Sequence, residues 1–294
     1  MDISPWETIW KPPGEPSTSE GQMQMNFSNF ALRAINKMRR TTTIGVRREV
    51  KRGYDALNRW PRTITPTPPA SHNELRSFFD GRKKGHGIWK WVHYFNIYDE
   101  HFRAFKGREV HVLEIGVYSG GSLEMWRDYF GPRAHIYGVD IEPACKAYEA
   151  SGFHIIIGDQ ADRSFWRRFK EEVPVLDIVI DDGGHQTEQQ IATVEELLPH
   201  MRPGGVFLIE DIHGAFNPFA SYVHGLGHKL NQFNSVGNPS DFERRLASTV
   251  TPFQSAVASI HLYPFVTVIK RNAVAIDELL APKHGTQWQP HLGS

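Results

Sequence analysis

The 294-residue chain has one cysteine, Cys145, and no excess of charge of either sign, with 33 Lys and Arg against 33 Asp and Glu. A lone cysteine excludes an internal disulfide and a cysteine-cluster metal site, and a reducing cytoplasm is the expected compartment. Zero net charge argues against a wholly basic nucleic-acid binder, so no nucleic-acid partner is expected. No apolar run approaches the roughly 18 residues that suggest a membrane span. The start, Met1-Asp2-Ile3-Ser4-Pro5, lacks the charged-then-apolar pattern of a secretory signal. The 15 histidines are scattered without ligand spacing. What charge there is lies unevenly. Ten basic residues fall between Asn26 and Arg62 (Arg33, Lys37, Arg39, Arg40, Arg47, Arg48, Lys51, Arg52, Arg59, Arg62) against two acidic ones, Glu49 and Asp55. The remainder, 23 basic and 31 acidic residues, is an acidic body behind a basic segment.

Four regions are expected. Residues 1–25, with prolines, Gly14, Gly21 and no hydrophobic period, read as an arm. Residues 26–69 read as a basic helical extension, with stripes Phe27, Phe30, Ala31, Ala34, Ile35, Met38 and Val46, Val50, Tyr54, Leu57, followed by a proline-rich linker from Thr63 to Pro69. Capping of the domain that follows or an oligomer interface is the favoured role for these helices; an anionic membrane, a phosphorylated acceptor or nucleic acid are the alternatives. Residues 70–275 form the main domain, and 276–294 a C-terminal tail. The run Trp89–Phe105 predicts a dense aromatic helix facing mainly the core. After it, apolar runs Val110–Ile115, His135–Val139, Phe153–Ile157, Leu176–Ile180 and Gly205–Ile209 alternate with helical patterns, which predicts an α/β fold with a parallel sheet and helices on both faces. Ala256–Leu262 and Phe265–Lys270, joined only by Tyr263-Pro264, must pair antiparallel. The stretch from His213 to Gln254 predicts helices and a lid over an acceptor pocket, or else a wrap around the sheet edge.

Ligands of an open α/β sheet bind beyond the carboxyl ends of its strands. All five predicted ends carry carboxylates: Glu114, Asp140, Asp159, the pair Asp181-Asp182, and the pair Glu210-Asp211. The first end, Glu114-Ile115-Gly116-Val117-Tyr118-Ser119-Gly120-Gly121-Ser122, is a glycine loop with Tyr118 where a dinucleotide fingerprint needs its second glycine. That disfavours a nicotinamide-dependent oxidoreductase and suits a nucleoside carrying a charged amino-acid tail. Gly116 would admit the ligand closely, Asp140 would accept the ribose hydroxyls, and Asp159 with Gln160 would meet the adenine edge. The oxygen-only set Asp182, Glu210 and Asp211 favours Mg2+ or Mn2+ over Zn2+. His185, three residues after Asp182, reads as a general base or as part of the cap of the next helix. Asp181 reads as a supporting residue beside Asp182.

Several motifs carry a resemblance. They are Leu113-Glu114-Ile115-Gly116-Val117, Gly121-Ser122-Leu123, Tyr137-Gly138-Val139-Asp140-Ile141, Gly158-Asp159-Gln160, Ile180-Asp181-Asp182-Gly183-Gly184-His185 and Ile209-Glu210-Asp211, with Lys90-Trp91 and His93-Tyr94 upstream and Ser259-Ile260-His261 and Tyr263-Pro264 downstream. The chain resembles class I S-adenosylmethionine-dependent methyltransferases. More closely it is similar to the metal-dependent macrolide sugar O-methyltransferases of the mycinamicin and demethylmacrocin type, some relatives of which are labelled cephalosporin hydroxylase. The resemblance covers roughly Gly87 to Arg271 and leaves the N-terminal helices unmatched. It implies a Rossmann-like, seven-stranded, mostly parallel sheet with an antiparallel C-terminal hairpin. It also implies metal ligands at Asp182, Glu210 and Asp211, His185 as general base, and Lys90 and Tyr94 near cofactor or substrate. The cofactor residues are then Glu114, Gly116, Tyr118, Ser122, Asp140, Ile141, Asp159, Gln160 and Asp181. The expected activity is O-methylation of a glycoside; a non-catalytic module that keeps the fold is the other reading.

Overall fold

A computed structural model describes residues 48–53, 55–56, 72–214, 216–234, 247–281 and 284. The chain divides into two units, Met1–Pro69 and Ala70–Ser294. In the first, residues 48–53 and 55–56 are helical. Exposed ion pairs join Glu49 to Arg48 and Arg52, and Lys51 to Asp55; solvated pairs of this kind contribute about 0–1 kcal/mol each. Val50, from the expected apolar stripe, is exposed. The expected arm, the helix from Phe27 and the linker from Thr63 lie outside the described residues.

The second unit begins with helices α1 (Glu74–Gly81) and α2 (Tyr94–Phe102). Alternation then sets in: β1 (Val110–Ile115), α3 (Gly121–Phe130), β2 (Ala134–Asp140), a 3-10 segment (Pro143–Ser151), β3 (His154–Ile157), α4 (Arg163–Glu172), β4 (Leu176–Asp181), α5 (Thr187–Leu197) and β5 (Met201–Ile212). The chain continues through α6 (Pro218–Leu230), β6 (Ala247–Thr249), α7 (Pro252–Ala256), β7 (Val257–Tyr263), β8 (Phe265–Arg271) and β9 (Glu278–Leu280). Seven strands form one sheet in the order β3-β2-β1-β4-β5-β8-β7. The first five are parallel, and β8 runs antiparallel to both β5 and β7. This is the expected Rossmann-like architecture with its antiparallel hairpin. β9, inside the stretch read as a tail, pairs with β6 in a separate two-stranded sheet.

Period-two burial explains why these runs are strands. Val112, Ile178, Ile180, Val206, Leu208, Val266 and Val268 face one core cluster, while Leu113, Val179, Phe207, Ile209 and Ile269 face the other. A sheet covered on both faces needs apolar residues at successive positions, which is the pattern the five runs show. On the first face α2 supplies Tyr94, Phe95, Tyr98 and Phe102, and Tyr98 meets Trp126 of α3 edge-on at 5.1 Å. The helix is shorter than the aromatic run predicts. Trp89 and Trp91 precede it and are 87% and 49% exposed, so they belong to a surface loop and not to the core.

Register fixes the rim. Ile115 is level with Val139 on one side and Asp181 on the other, so β1, β2 and β4 end together. The order turns back between β1 and β4, which makes this the switch point where a ligand crevice opens. Of the 213–254 stretch, α6 does not act as the expected lid. Its Phe219 and Val223 are buried in the second core cluster with Phe207, Ile209 and Ile269, so the helix wraps the sheet. Residues 215 and 235–246 lie outside the described set. Truncating a fully buried Phe typically costs about 3–5 kcal/mol. Phe219→Ala should therefore show a loss of that size in urea unfolding; unchanged stability would return α6 to the role of a lid.

Candidate active site at the carboxyl rim of the sheet

A cavity of about 790 Å3 opens at this rim, lined by the ends of all five parallel strands and by the loop 87–92. Its first wall is the glycine loop. Gly116 has φ +88°, and a Cβ there would stand 2.0 Å from the backbone carbonyl oxygen of Asp182. The glycine is therefore required by the loop after β4, a constraint different from the ligand approach expected of it. Asp140 braces the loop, since its Oδ2 accepts from the amides of Val117 (2.8 Å) and Tyr118 (3.0 Å). Its Oδ1 accepts from the Glu142 amide at 2.9 Å. With about four lone-pair sites on a carboxylate, Asp140 retains acceptor capacity for a ribose hydroxyl. Tyr118, Ser122, Ile141, Asp159 and Gln160 also line the cavity, and Ile141 is exposed despite its apolar side chain.

Two expected cofactor residues lie behind the wall. Glu114 and Asp181 are fully buried and do not line the cavity. Glu114 accepts from Ser122 Oγ at 2.6 Å. Asp181 accepts from Gln160 Nε2 at 2.6 Å and from the Thr193 hydroxyl. Gln160 in turn accepts from the Gly184 amide at 3.0 Å, so Asp181 sets the posture of both Gln160 and the loop after β4. Its influence on the cavity is relayed, which matches the supporting role read beside Asp182.

The floor is acidic. Asp182, His185 and Asp211 each offer a ligand atom, all within 4.8 Å of one another. His185 and Asp211 both hold left-handed backbones, φ 56° and 57°, uncommon for residues with a Cβ. Helix α5 is closed by Gln186, whose amide donates to Gln189 Oε1 at 3.0 Å, so His185 is not its cap. The His185 Nε2 lies 3.5 Å from Asp211 Oδ2, while its Nδ1 is buried without a hydrogen-bond partner among the described residues. Asp211 Oδ1 accepts from Trp91 Nε1 (3.0 Å) and Tyr94 Oη (2.7 Å).

Glu210 is placed differently from its expected partners. Only 1% exposed, it accepts from Tyr98 Oη at 2.7 Å and from Lys90 Nζ at 3.1 and 3.2 Å. Lys90 also reaches Asp182 at 2.6 Å and Glu114 at 3.3 Å. The structure thus groups Asp182 and Asp211 with His185, and sets Glu210 on the lysine. Burial would lower the Lys90 ammonium, but Asp182, Glu210 and Glu114 outweigh it and hold the group well above its ordinary value. Glu210 and Glu114 are raised too, by burial first and by neighbouring negative charge second. Burial thus dominates the carboxyl shifts, and the surplus of carboxylates over ammonium adds to them. Carboxylate oxygens carrying a negative excess fit a hard divalent cation. The positions of Tyr98 and Thr193 were not anticipated, and Lys90 was expected only near a ligand. A single lysine inside Trp89-Lys90-Trp91 was the available signal, since a charge amid aromatics calls for a buried partner.

The chain is similar to known proteins over this region. Residues 113–212 match the family described as a methyltransferase domain. The chain is 41% identical over 153 residues to demethylmacrocin O-methyltransferase of Streptomyces fradiae, covering 50% of this chain and 37% of that protein. It is 30% identical over 202 residues to 8-demethyl-8-alpha-L-rhamnosyl tetracenomycin-C 2'-O-methyltransferase of Streptomyces olivaceus, covering 64% and 53%. Among solved structures it is similar to MycE methyltransferase from the mycinamycin biosynthetic pathway in complex with Mg and SAH, with a TM-score of 0.55, 30% identity, and coverage of 68% and 53%. The chain spans about half or less of the length of these relatives.

Burial pushes the Asp181 carboxyl from its ordinary 3.8 up to about 6. A raised carboxyl contributes stability that is fully present below its unfolded value and is lost as pH rises through about 6. Asp181→Asn keeps an acceptor for Gln160 and removes the buried charge. It should raise Tm at pH 8, with the difference shrinking towards pH 4; an equal or lower Tm at pH 8 would contradict the assignment.

Proposed function

We propose that this chain, which carries a methyltransferase domain and is similar to macrolide sugar O-methyltransferases, transfers a methyl group from S-adenosylmethionine to a hydroxyl of a glycosylated small molecule with the help of Mg2+ or Mn2+. One observation carries the reading: the braced glycine loop and the acidic floor line the same cavity. A nucleoside site and an acid-base site within one crevice are what a group transfer between two bound molecules requires.

S-adenosylmethionine supplies, when bound, a methyl group made electrophilic by its sulfonium charge. Tyr118, Asp140, Ile141, Asp159 and Gln160 are the residues proposed to hold it. Asp140 has acceptor capacity for the ribose, Gln160 is held by Asp181, and Ile141 offers an apolar face. A divalent ion supplies, when bound, acidification of a coordinated hydroxyl. Asp182 and Asp211 would hold it, with Glu210 behind them. His185 is proposed to take the proton of the acceptor hydroxyl, a role worth about 10²–10⁴-fold in rate. Asp211, 3.5 Å from its Nε2, would steady the imidazolium so formed. Trp89 and Tyr118, both exposed and both lining the cavity, offer faces on which a sugar or an aglycone could stack. The nicotinamide alternative gains no support, because Tyr118 keeps a side chain where the dinucleotide loop needs glycine.

The whole-chain acceptor is proposed from the relatives: a rhamnosylated polyketide or a macrolide glycoside. Asp182→Ala separates the two halves of the cavity. It should leave the S-adenosylmethionine Kd within about threefold of wild type, while methyl transfer to such a glycoside falls by about 100-fold or more. EDTA should abolish wild-type turnover. Full activity in Asp182→Ala would defeat the proposed role of the acidic floor.

A further inference from the structure

The loop between α1 and α2 runs along the cavity wall and is fastened at both ends. Its far end is held at the acidic floor, where Lys90 bonds Asp182 and Trp91 bonds Asp211. Its near end is held by one carboxylate on α3. Glu124 accepts from Arg82 Nη2 through Oε2, and its Oε1 lies 2.7 Å from His86 Nδ1. Arg82 Nε also donates to the His86 carbonyl at 3.0 Å, which closes the turn 82–86 on its own guanidinium. Between the two fastenings, Gly87, Ile88 and Trp89 line the cavity beside Tyr118, Ser119 and Ser122.

We infer that Glu124 is a positioning residue for the cofactor: through Arg82 and His86 it fixes residues 86–89 as a strap across the glycine loop. The inference rests on the reading of that loop as part of the S-adenosylmethionine site. The strap lies directly on the loop's end, for a Cβ at Gly121 would overlap the carbonyl oxygens of His86 and Gly87. Strap and loop also share a post, Tyr148. The His86 ring meets Tyr148 edge-on at 4.9 Å, and Tyr148 Oη donates to the Tyr118 carbonyl at 3.1 Å. The same phenol ring would stand 2.9 Å from a Cβ at Gly120.

Position along the chain adds a further point. Glu124 lies in the first turn of α3, the helix that the glycine loop opens, so one element carries both the loop and the anchor of the strap. Burial disfavours the Glu124 carboxylate, but its contacts with Arg82 and His86 outweigh this and hold the carboxyl below its ordinary value. An ionised anchor makes charge-assisted hydrogen bonds, the stronger kind. A strap fixed before the ligand arrives spares the cost of ordering it at binding, so the anchor contributes to cofactor affinity.

Calorimetric titration of S-adenosylmethionine into the full chain, paired with amide hydrogen exchange, tests this. Glu124→Ala should weaken binding by about fivefold or more. Faster exchange should be confined to residues 82–89, with α3 as protected as in wild type. Phe219→Ala, which loosens the second core cluster away from the cavity, is the control and should keep its Kd within about twofold of wild type. Unchanged affinity in Glu124→Ala overturns the inference and leaves the S-adenosylmethionine site standing; so does exchange that rises along all of α3, or an equal loss in Phe219→Ala. Should Glu124→Ala not fold, His86→Ala removes one of the two ties from the loop side. It should weaken binding by about threefold or more, and unchanged affinity there overturns the inference as well. No S-adenosylmethionine binding by wild type would overturn the reading of the glycine loop, and the inference with it.

Discussion

Burying an ammonium among carboxylates is costly unless every donor is matched, and the rim of this sheet is organised around meeting that condition at Lys90. The lysine touches Glu114 at the end of β1, Asp182 just past β4 and Glu210 near the end of β5. Those are adjacent strands, so one side chain ties together the switch point at which the ligand crevice forms. The aromatic face of α2 seals the arrangement from below: Tyr98 is fully buried, bonds Glu210, and packs against Phe102 and Trp126. Removing the lysine would leave the buried Glu114 and Glu210 without their cation, which couples the packing of the first core cluster to the electrostatics of the cavity.

The strain in the backbone sits at the same rim. Tyr118 and His185, in the loops after β1 and β4, and Asp211, near the end of β5, each adopt a left-handed conformation, a geometry that costs about 1–3 kcal/mol per residue away from glycine. Compensation is visible at two of the three positions. The Tyr118 amide is held by Asp140, and the Asp211 amide donates to Tyr94 Oη at 3.3 Å. A register shift in the β5–β8 ladder between Ile209 and Ile212 accompanies the turn at Asp211. These distortions bring Tyr118, His185 and Asp211 into the lining of a single cavity, where regular strand ends would alternate their side chains between the two faces.

Much of this was legible in the residues themselves, and the reasons are specific. The apolar runs of β1, β4 and β5 read as strands because both faces of the sheet are covered, and the acidic strand ends marked the rim. The Tyr263-Pro264 connection allowed no crossover, so the antiparallel hairpin followed. Periodicity shows which face of an element is buried but not what it is buried against. For that reason α6 was read as a lid, although Phe219 belongs to the core, and Trp89 was read as core, although it is exposed. Lys90 lies 24, 92 and 120 positions from its three partners, a relation that no local pattern displays. Gly116 shows the same limit. Its neighbour is the carbonyl of Asp182, which only the fold brings to it.

The proposed chemistry depends on a divalent ion at the acidic floor of the cavity. An anomalous difference map from crystals of the full chain grown with Mn2+ would test this most directly. Metal-assisted transfer requires a single strong peak within coordination distance of Asp182 and Asp211 at the acidic floor. A map without a peak in the cavity would contradict it.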